Sequence, residues 1–112
     1  FAGQMTGVEG YIESASSGWL AGINAAKRAR GESPFIPEKI SVIGALSGYI
    51  SDRTVTAFQP MNANFGIVEP LGYRIKGGKT AKNEALARRS LDYIDSLKKT
   101  VCGNCRTAVS IE

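Results

Sequence analysis

A glycine-punctuated stretch that leads into a long apolar-periodic run constrains this chain more than any other feature. It reads Gly3-Gln-Met-Thr-Gly-Val-Glu-Gly-Tyr11, and its glycines can adopt positive φ and let another molecule approach the backbone. Thr6 and Glu9 have the spacing of a capping box before a helix. The N–H groups of a first helical turn lack partners within the helix and favour a phosphate or an electron-rich carbonyl edge. The pattern predicts a ligand-binding loop or a plain loop-to-helix junction, and spacing alone favours the junction.

Apolar periodicity predicts a mainly α chain with long loops and three helices, near residues 9–30, 38–51 and 81–101. In the first helix, Gly18 and Gly22 lie on a second face of small residues. We expect both of its faces to be buried, with close backbone approach offsetting a cost of roughly 1 kcal/mol per glycine. Its apolar stripe comprises Val8, Ile12, Ala15, Trp19, Ile23 and Ala26. The apolar face of the second helix comprises Val42, Ile43, Leu46, Tyr49 and Ile50.

The third predicted helix, with Thr80 as its N-cap, is basic. Residues 1–73 hold five basic and six acidic side chains, whereas residues 74–106 hold nine basic and three acidic ones. This asymmetry indicates a polyanionic partner such as RNA, or else a solvated helix face. We expect a buried stripe of Ala87, Leu91, Ile94, Leu97 and Val101. The exposed basic residues are expected to be Lys82, Arg88, Arg89, Lys98 and Lys99.

Several classes of site and protein are disfavoured by composition. The chain has no histidine and two cysteines, Cys102 and Cys105. One C-x-x-C pair cannot supply four zinc ligands, so we predict no metal site. Without histidine the commonest general base is missing, and we assign no catalytic residue. We expect residues 102–112 to form a disordered tail, and no apolar run approaches the ~20 residues that span a bilayer.

Two ordered stretches resemble one family. Phe1-Ala-Gly-Gln-Met-Thr-Gly-Val-Glu-Gly-Tyr-Ile-Glu-Ser-Ala15 with Gly22-Ile-Asn-Ala-Ala26, and then Phe58-Gln-Pro-Met-Asn-Ala-Asn-Phe-Gly66, look like segments of the folate- and FAD-dependent tRNA uracil-5-methyltransferases of the glucose-inhibited division (Gid) flavoprotein group. The resemblance implies that residues 1–101 are the C-terminal segment of an α/β, Rossmann-like FAD-binding domain in a longer cytoplasmic enzyme. The 112 residues contain no strand–GxGxxG–helix unit for the pyrophosphate.

The activity implied by the resemblance is transfer of a methylene-derived methyl group from methylenetetrahydrofolate to the 5-position of a tRNA uracil. FAD is the implied cofactor, with NAD(P) as a further cofactor of the family, and the fragment alone is expected to be inactive. The N–H groups of Val8, Glu9 and Gly10 are expected to point at the carbonyl edge of the flavin ring. The full set of implied flavin contacts is Gly3, Gln4, Thr6, Gly7, Val8, Glu9, Gly10 and Tyr11.

Substrate contacts are expected in two further places. Asn62 and Asn64 either line a folate or nucleotide pocket or hold an ordered loop through their own hydrogen bonds. Arg88 and Arg89 are candidates for tRNA contact. Expected partners are therefore tRNA, folate and the rest of the parent chain, while the unsatisfied apolar faces leave open a homo-oligomer of the fragment.

Two alternatives stay open at this stage. One is the sister flavoprotein that modifies the wobble uridine without methylating its 5-position. The Val8-Glu9 pair and the Asn62–Gly66 stretch favour the methyltransferase branch over it. The other alternative is a small basic helical module that binds RNA without catalysis.

Overall fold

The computed structural model describes the backbone of residues 1–102 and the side chains of residues 1–99. A 3-10 helix spans Gly3–Thr6 and is followed by three α-helices, α1 (Tyr11–Ala29), α2 (Val42–Ser51) and α3 (Gly78–Cys102). Over the described range there is no strand beyond one isolated bridge, which confirms the mainly α, three-helix prediction. The chain divides into two compact units, Phe1–Pro70 and one that starts at Leu71.

Two expectations concern the C-terminal end of the chain, which the structure describes as far as residue 102. Cys102 is the last residue of α3, one residue beyond the predicted helix end. Cys105 and the rest of the predicted tail lie outside the described residues. Across residues 1–102, none of the helices combines the length and the apolar character that crossing a bilayer requires.

The helix α1 begins at Tyr11, and the predicted capping box is wrong. Thr6 is the last residue of the 3-10 helix, and its hydroxyl donates to the carbonyl of Gly3 at 2.7 Å. Gly7, at φ 93°, and Gly10, at φ 94°, both turn the chain between Thr6 and α1. These two left-handed corners separate Thr6 from the first helical turn, and Gly10 becomes the N-cap.

The faces of α1 are mostly open, contrary to the expectation that both would be buried. Leu20 is the one residue of α1 that is buried, whereas Ile12 is 81% exposed and Trp19 is 52% exposed. Apart from the backbone of α1 itself and the adjoining residues, no atom lies within 4 Å of where a Cβ on Gly18 or Gly22 would stand. The reason is a shortage of neighbours, since within the first unit α1 packs on the 3-10 helix and α2.

The helix α2 starts four residues later than predicted because Ser41 caps it. The Ser41 hydroxyl accepts a hydrogen bond from the Gly44 amide at 3.1 Å and donates to the Glu38 carbonyl at 2.8 Å. A Cβ on Gly44 would overlap the Glu38 carbonyl, so this glycine allows the backbone of residues 37–38 to lie against the first turn of α2. Leu46 of the predicted apolar face is buried, and its other members are half-buried.

The helix α3 is present, but its predicted buried stripe is wrong at Leu91 and Ile94. Ala87 is half-buried, and the side chain of Val101 lies outside the described residues. Leu91 is 65% exposed and Ile94 is also exposed, whereas Leu86 and Ser90 are buried. Tyr93 and Leu97 continue the observed stripe as half-buried residues. Both stripes have the same steps of three and four, and Ser90 makes the observed one look less apolar in the sequence. Thr80 lies inside α3 rather than at its cap.

Candidate functional site

The glycine loop, defined as residues 3–10, is paired with residues 58–66. The Glu9 amide donates to the Met61 carbonyl at 3.0 Å, and the Met61 amide donates to the Gly7 carbonyl at 3.0 Å. These bonds form a parallel bridge between Val8 and Met61, and the side chain of Val8 is fully buried. The two stretches that carry the family resemblance therefore lie side by side, although they are far apart in sequence.

An aromatic pair supports the first corner of the glycine loop. The ring of Phe58 occupies the space into which a Cβ on Gly7 would project. Tyr49 stacks on Phe58 with ring centroids 5.5 Å apart and an interplanar angle of 22°. The Tyr49 hydroxyl donates to the Gln59 carbonyl at 3.2 Å. The glycine at position 7 is thus required by packing within the chain, through a ring that α2 holds in place.

The second corner, at Gly10, is closed by an acidic side chain. A Cβ on Gly10 would overlap the carboxylate of Glu13, which lies in the first turn of α1. The same carboxylate accepts a hydrogen bond from the Ala63 amide at 3.3 Å. Sequence reasoning assigned no role to Glu13, because that role depends on residues 61–63 reaching the loop. The one signal available was an acidic residue in the first turn of a helix, which is common for other reasons.

The N–H groups expected to face a flavin are partly occupied within the chain. The Val8 amide donates to the Gly3 carbonyl at 3.4 Å, and the Glu9 amide donates to Met61. Over the described residues the Gly10 amide has no hydrogen-bond partner, and α1 has no side-chain cap. The donors open to a ligand are therefore Gly10, which was predicted, and the first turn of α1, which was not.

The remaining predicted loop residues differ in accessibility. Gln4, Glu9 and Gly10 are exposed, and the side chain of Tyr11 is 97% exposed. Val8 is buried, so its contribution to a ligand would come from the backbone alone. Of the exposed members, Glu9, Gly10 and Tyr11 adjoin the start of α1.

Both asparagines of the Asn62–Asn64 segment are exposed, and Asn64 orders the segment through its own hydrogen bonds. The Asn64 carboxamide accepts from the Gly66 amide at 2.9 Å and donates to the Asn62 carbonyl at 3.3 Å. This geometry matches the loop-holding role that was one of the two expectations for Asn64. The Asn62 side chain is exposed, two residues before the Asn64 turn.

A cleft of about 280 Å³ lies elsewhere in the first unit, between α1, α2 and the connecting loop. Its lining includes Leu20, Pro37 and Lys39. Asn24 shapes its wall, because its carboxamide donates to the Phe35 carbonyl at 2.9 Å and accepts from the Phe35 amide at 2.7 Å. Asn24 belongs to the Gly22–Ala26 stretch that carries the resemblance, but none of the expected flavin or substrate contacts lines this cleft.

The basic residues of α3 are unequally exposed. Lys82, Arg88, Lys98 and Lys99 are exposed, as expected, while Arg89 is half-buried. Arg88 is four residues before Asp92, and Asp95 is four residues before Lys99, spacings at which opposite charges can interact along a helix. This face therefore carries charges of both signs.

Comparison with known proteins finds relatives that match the segment containing the glycine loop and α1. Residues 1–33 match the family model described as glucose inhibited division protein A. A methylenetetrahydrofolate–tRNA-(uracil-5-)-methyltransferase TrmFO of Bacillus cytotoxicus is 52% identical over 96 residues, which cover 86% of this chain and 22% of the relative. The protein of the same name from Bacillus anthracis is 53% identical over 94 residues, 84% of this chain and 21% of the relative. The chain belongs to the TrmFO/GidA-type family.

The family-model match covers the first segment of the candidate site. The matched residues 1–33 contain the glycine loop and all of α1, including the open first turn and Glu13. The chain spans about a fifth of the length of the curated relatives it matches.

Proposed function

We propose that this chain is the flavin-facing part of a FAD- and folate-dependent tRNA (uracil-5-)-methyltransferase. The observation that carries the proposal is the identity of 52% with a relative of that name over 86% of the chain. Residues 1–101 would then be a segment of the FAD-binding domain. FAD, methylenetetrahydrofolate and tRNA would be the cofactor, one-carbon donor and substrate of the whole protein, working in the cytoplasm.

The loop has the donors that a flavin ring requires. The open N–H groups of Gly10 and of the first turn of α1 carry partial positive charge, which suits an electron-rich carbonyl edge. Tyr11 is exposed beside them and can pack against an aromatic ring. Bound reduced FAD would supply reducing equivalents for the one-carbon transfer, while these residues bind and orient the ring.

The chain does not offer a site for the rest of the cofactor. Its 112 residues contain no strand–GxGxxG–helix unit, which is the element that holds the pyrophosphate of a dinucleotide. We propose that the remaining length of the relatives supplies that element. The cysteine nucleophiles that the resemblance implies would also come from there, and neither Cys102 nor Cys105 is assigned that role.

The tRNA contact is proposed for α3. Four of its basic side chains, Lys82, Arg88, Lys98 and Lys99, are exposed and could meet phosphates. The same charge asymmetry is what favours the second candidate function, a basic helical module that binds RNA without catalysis. Flavin content separates the two, because only the flavoenzyme binds FAD.

The test uses the full-length protein that contains this chain. We expect flavin absorbance after purification and transfer of a labelled methylene carbon from methylenetetrahydrofolate to tRNA uracil. Flavin without folate-dependent methylation would favour the sister flavoprotein that modifies the wobble uridine. RNA binding without flavin would favour the non-catalytic module.

A further inference from the structure

Glu13 joins the two segments of the site. It lies in the first turn of α1, half-buried, with its carboxylate against Gly10. Its Oε1 accepts the Ala63 amide at 3.3 Å. The hydrogen bond links a helix that begins at the glycine loop to the middle of the Asn62–Asn64 segment.

Asn62 is held from both sides by this arrangement. The residue before it, Met61, has both its amide and its carbonyl bonded to the glycine loop, at 3.0 Å each. The residue after it, Ala63, is bonded to Glu13. The backbone of Asn62 is thus held beside the loop by two anchors, and Glu13 supplies the anchor that a side chain makes.

An asparagine side chain carries one acceptor oxygen and two donor hydrogens. It therefore matches a cyclic amide edge, in which a carbonyl stands next to an N–H. The pterin ring of a folate and the uracil base both present such an edge, so the two ligands share the chemistry that Asn62 can recognise.

We propose that Glu13 is a positioning residue, which holds Asn62 where it can bind the cyclic amide edge of a ligand lying beside the flavin. This inference rests on the proposed function for the location of the flavin. Glu13 itself does not touch the ligand, and its carboxylate acts through the Ala63 amide.

The test compares Glu13→Ala with Glu13→Gln in the full-length protein. Glutamine keeps a side-chain oxygen that can accept the Ala63 amide, whereas alanine removes the acceptor. Ser16→Ala is the control on the same helix, because the Ser16 hydroxyl bonds only locally, to the Ile12 carbonyl at 2.9 Å. Flavin occupancy, kcat, and the separate KM values for methylenetetrahydrofolate and tRNA are measured for each.

We expect Glu13→Ala to raise one of the two KM values about tenfold, the loss expected for one hydrogen bond to a charged group. Flavin should stay bound, and Glu13→Gln and Ser16→Ala should stay within about threefold of the wild type. The KM that responds identifies the ligand, folate or tRNA. Wild-type KM values in Glu13→Ala, equal defects in Glu13→Ala and Glu13→Gln, or loss of flavin in both would each overturn the proposal.

A second readout does not depend on activity. Hydrogen exchange of the peptide covering residues 61–66, measured by mass spectrometry on the same proteins, should speed up in Glu13→Ala and not in Glu13→Gln or Ser16→Ala. If the wild-type protein binds no flavin, the proposed function fails while this exchange difference persists. If exchange is the same in all four proteins, Glu13 does not position the segment.

Discussion

The ring of Phe58 lies where a side chain on Gly7 would project, and Gly7 is in the left-handed region at φ 93°. A Gly7→Ala substitution therefore meets both backbone strain and a collision with a ring that Tyr49 holds in place. We expect a loss of about 2–3 kcal/mol in the free energy of unfolding. Urea unfolding followed by circular dichroism measures it.

Gly31→Ala is the matched control for this prediction. Gly31 also has positive φ, at 72°, but nothing lies within 4 Å of its Cβ position. The Gly31→Ala variant should lose only about 1 kcal/mol in the free energy of unfolding, because backbone strain is its one cost. Equal losses in the two variants would show that the contact with Phe58 contributes nothing.

The open face of α1 predicts that alanine is favourable at Gly18 and Gly22. Both glycines lie inside the helix, with free space around their Cβ positions. Each substitution should stabilise the 112-residue chain by up to about 1 kcal/mol. A loss of stability instead, together with a larger sedimentation coefficient for the unsubstituted chain, would show that copies of the chain pair through this face.

The chain by itself is expected to retain no FAD. It can offer donors and Tyr11 to the flavin ring, but it has no element for the pyrophosphate. Incubation with excess FAD, followed by desalting and an absorbance spectrum, should leave a colourless protein. A stoichiometric yellow cofactor on these 112 residues would contradict this account of how the FAD site is divided.

The basic helix α3 is expected to contact tRNA phosphates. Changing Arg88 to Ala should weaken tRNA binding by the full-length protein and reduce the slope of log affinity against log salt by roughly 0.7–0.9. Arg53→Ala, at an exposed position in the other unit, is the control. Unchanged affinity and slope in Arg88→Ala would mean that the mixed charges only solvate the helix.

Arg89 is a less clean probe of tRNA contact than Arg88. It is half-buried, so its loss is expected to alter packing as well as charge. A double change of Arg88 and Arg89 therefore needs a circular dichroism check before any binding result is interpreted.

The helices were predictable because their signal is local. Apolar residues at steps of three and four predicted the start of α1 to within two residues. The start of α2 was predicted four residues too early, because Ser41 was not recognised as its N-cap. The buried side of α3 was not predictable in the same way. Two neighbouring stripes have the same spacing, and the apolar character of Leu91 outweighed the polar Ser90 in the sequence.

The site was harder to predict because it depends on contacts distant in sequence. The resemblance singled out the glycine loop and residues 58–66 separately, and only the structure shows the bond from Glu9 to Met61. Gly10 was expected to let a ligand approach the backbone. In the structure, the Glu13 carboxylate occupies the space beside it. A Gly10→Val variant would thus displace Glu13 and strain the backbone at φ 94°, in addition to any collision with the cofactor.

Tyr11 gives the most direct test that the glycine loop and the first turn of α1 face the flavin. Its side chain is 97% exposed, so its removal should leave the fold intact, and Ala25→Val on the same helix is an exposed control. The measurement is the dissociation constant for FAD of the full-length apoprotein. The account predicts about tenfold weaker binding in Tyr11→Ala, from lost contact with the ring, and no change in Ala25→Val. Wild-type affinity in Tyr11→Ala would contradict it.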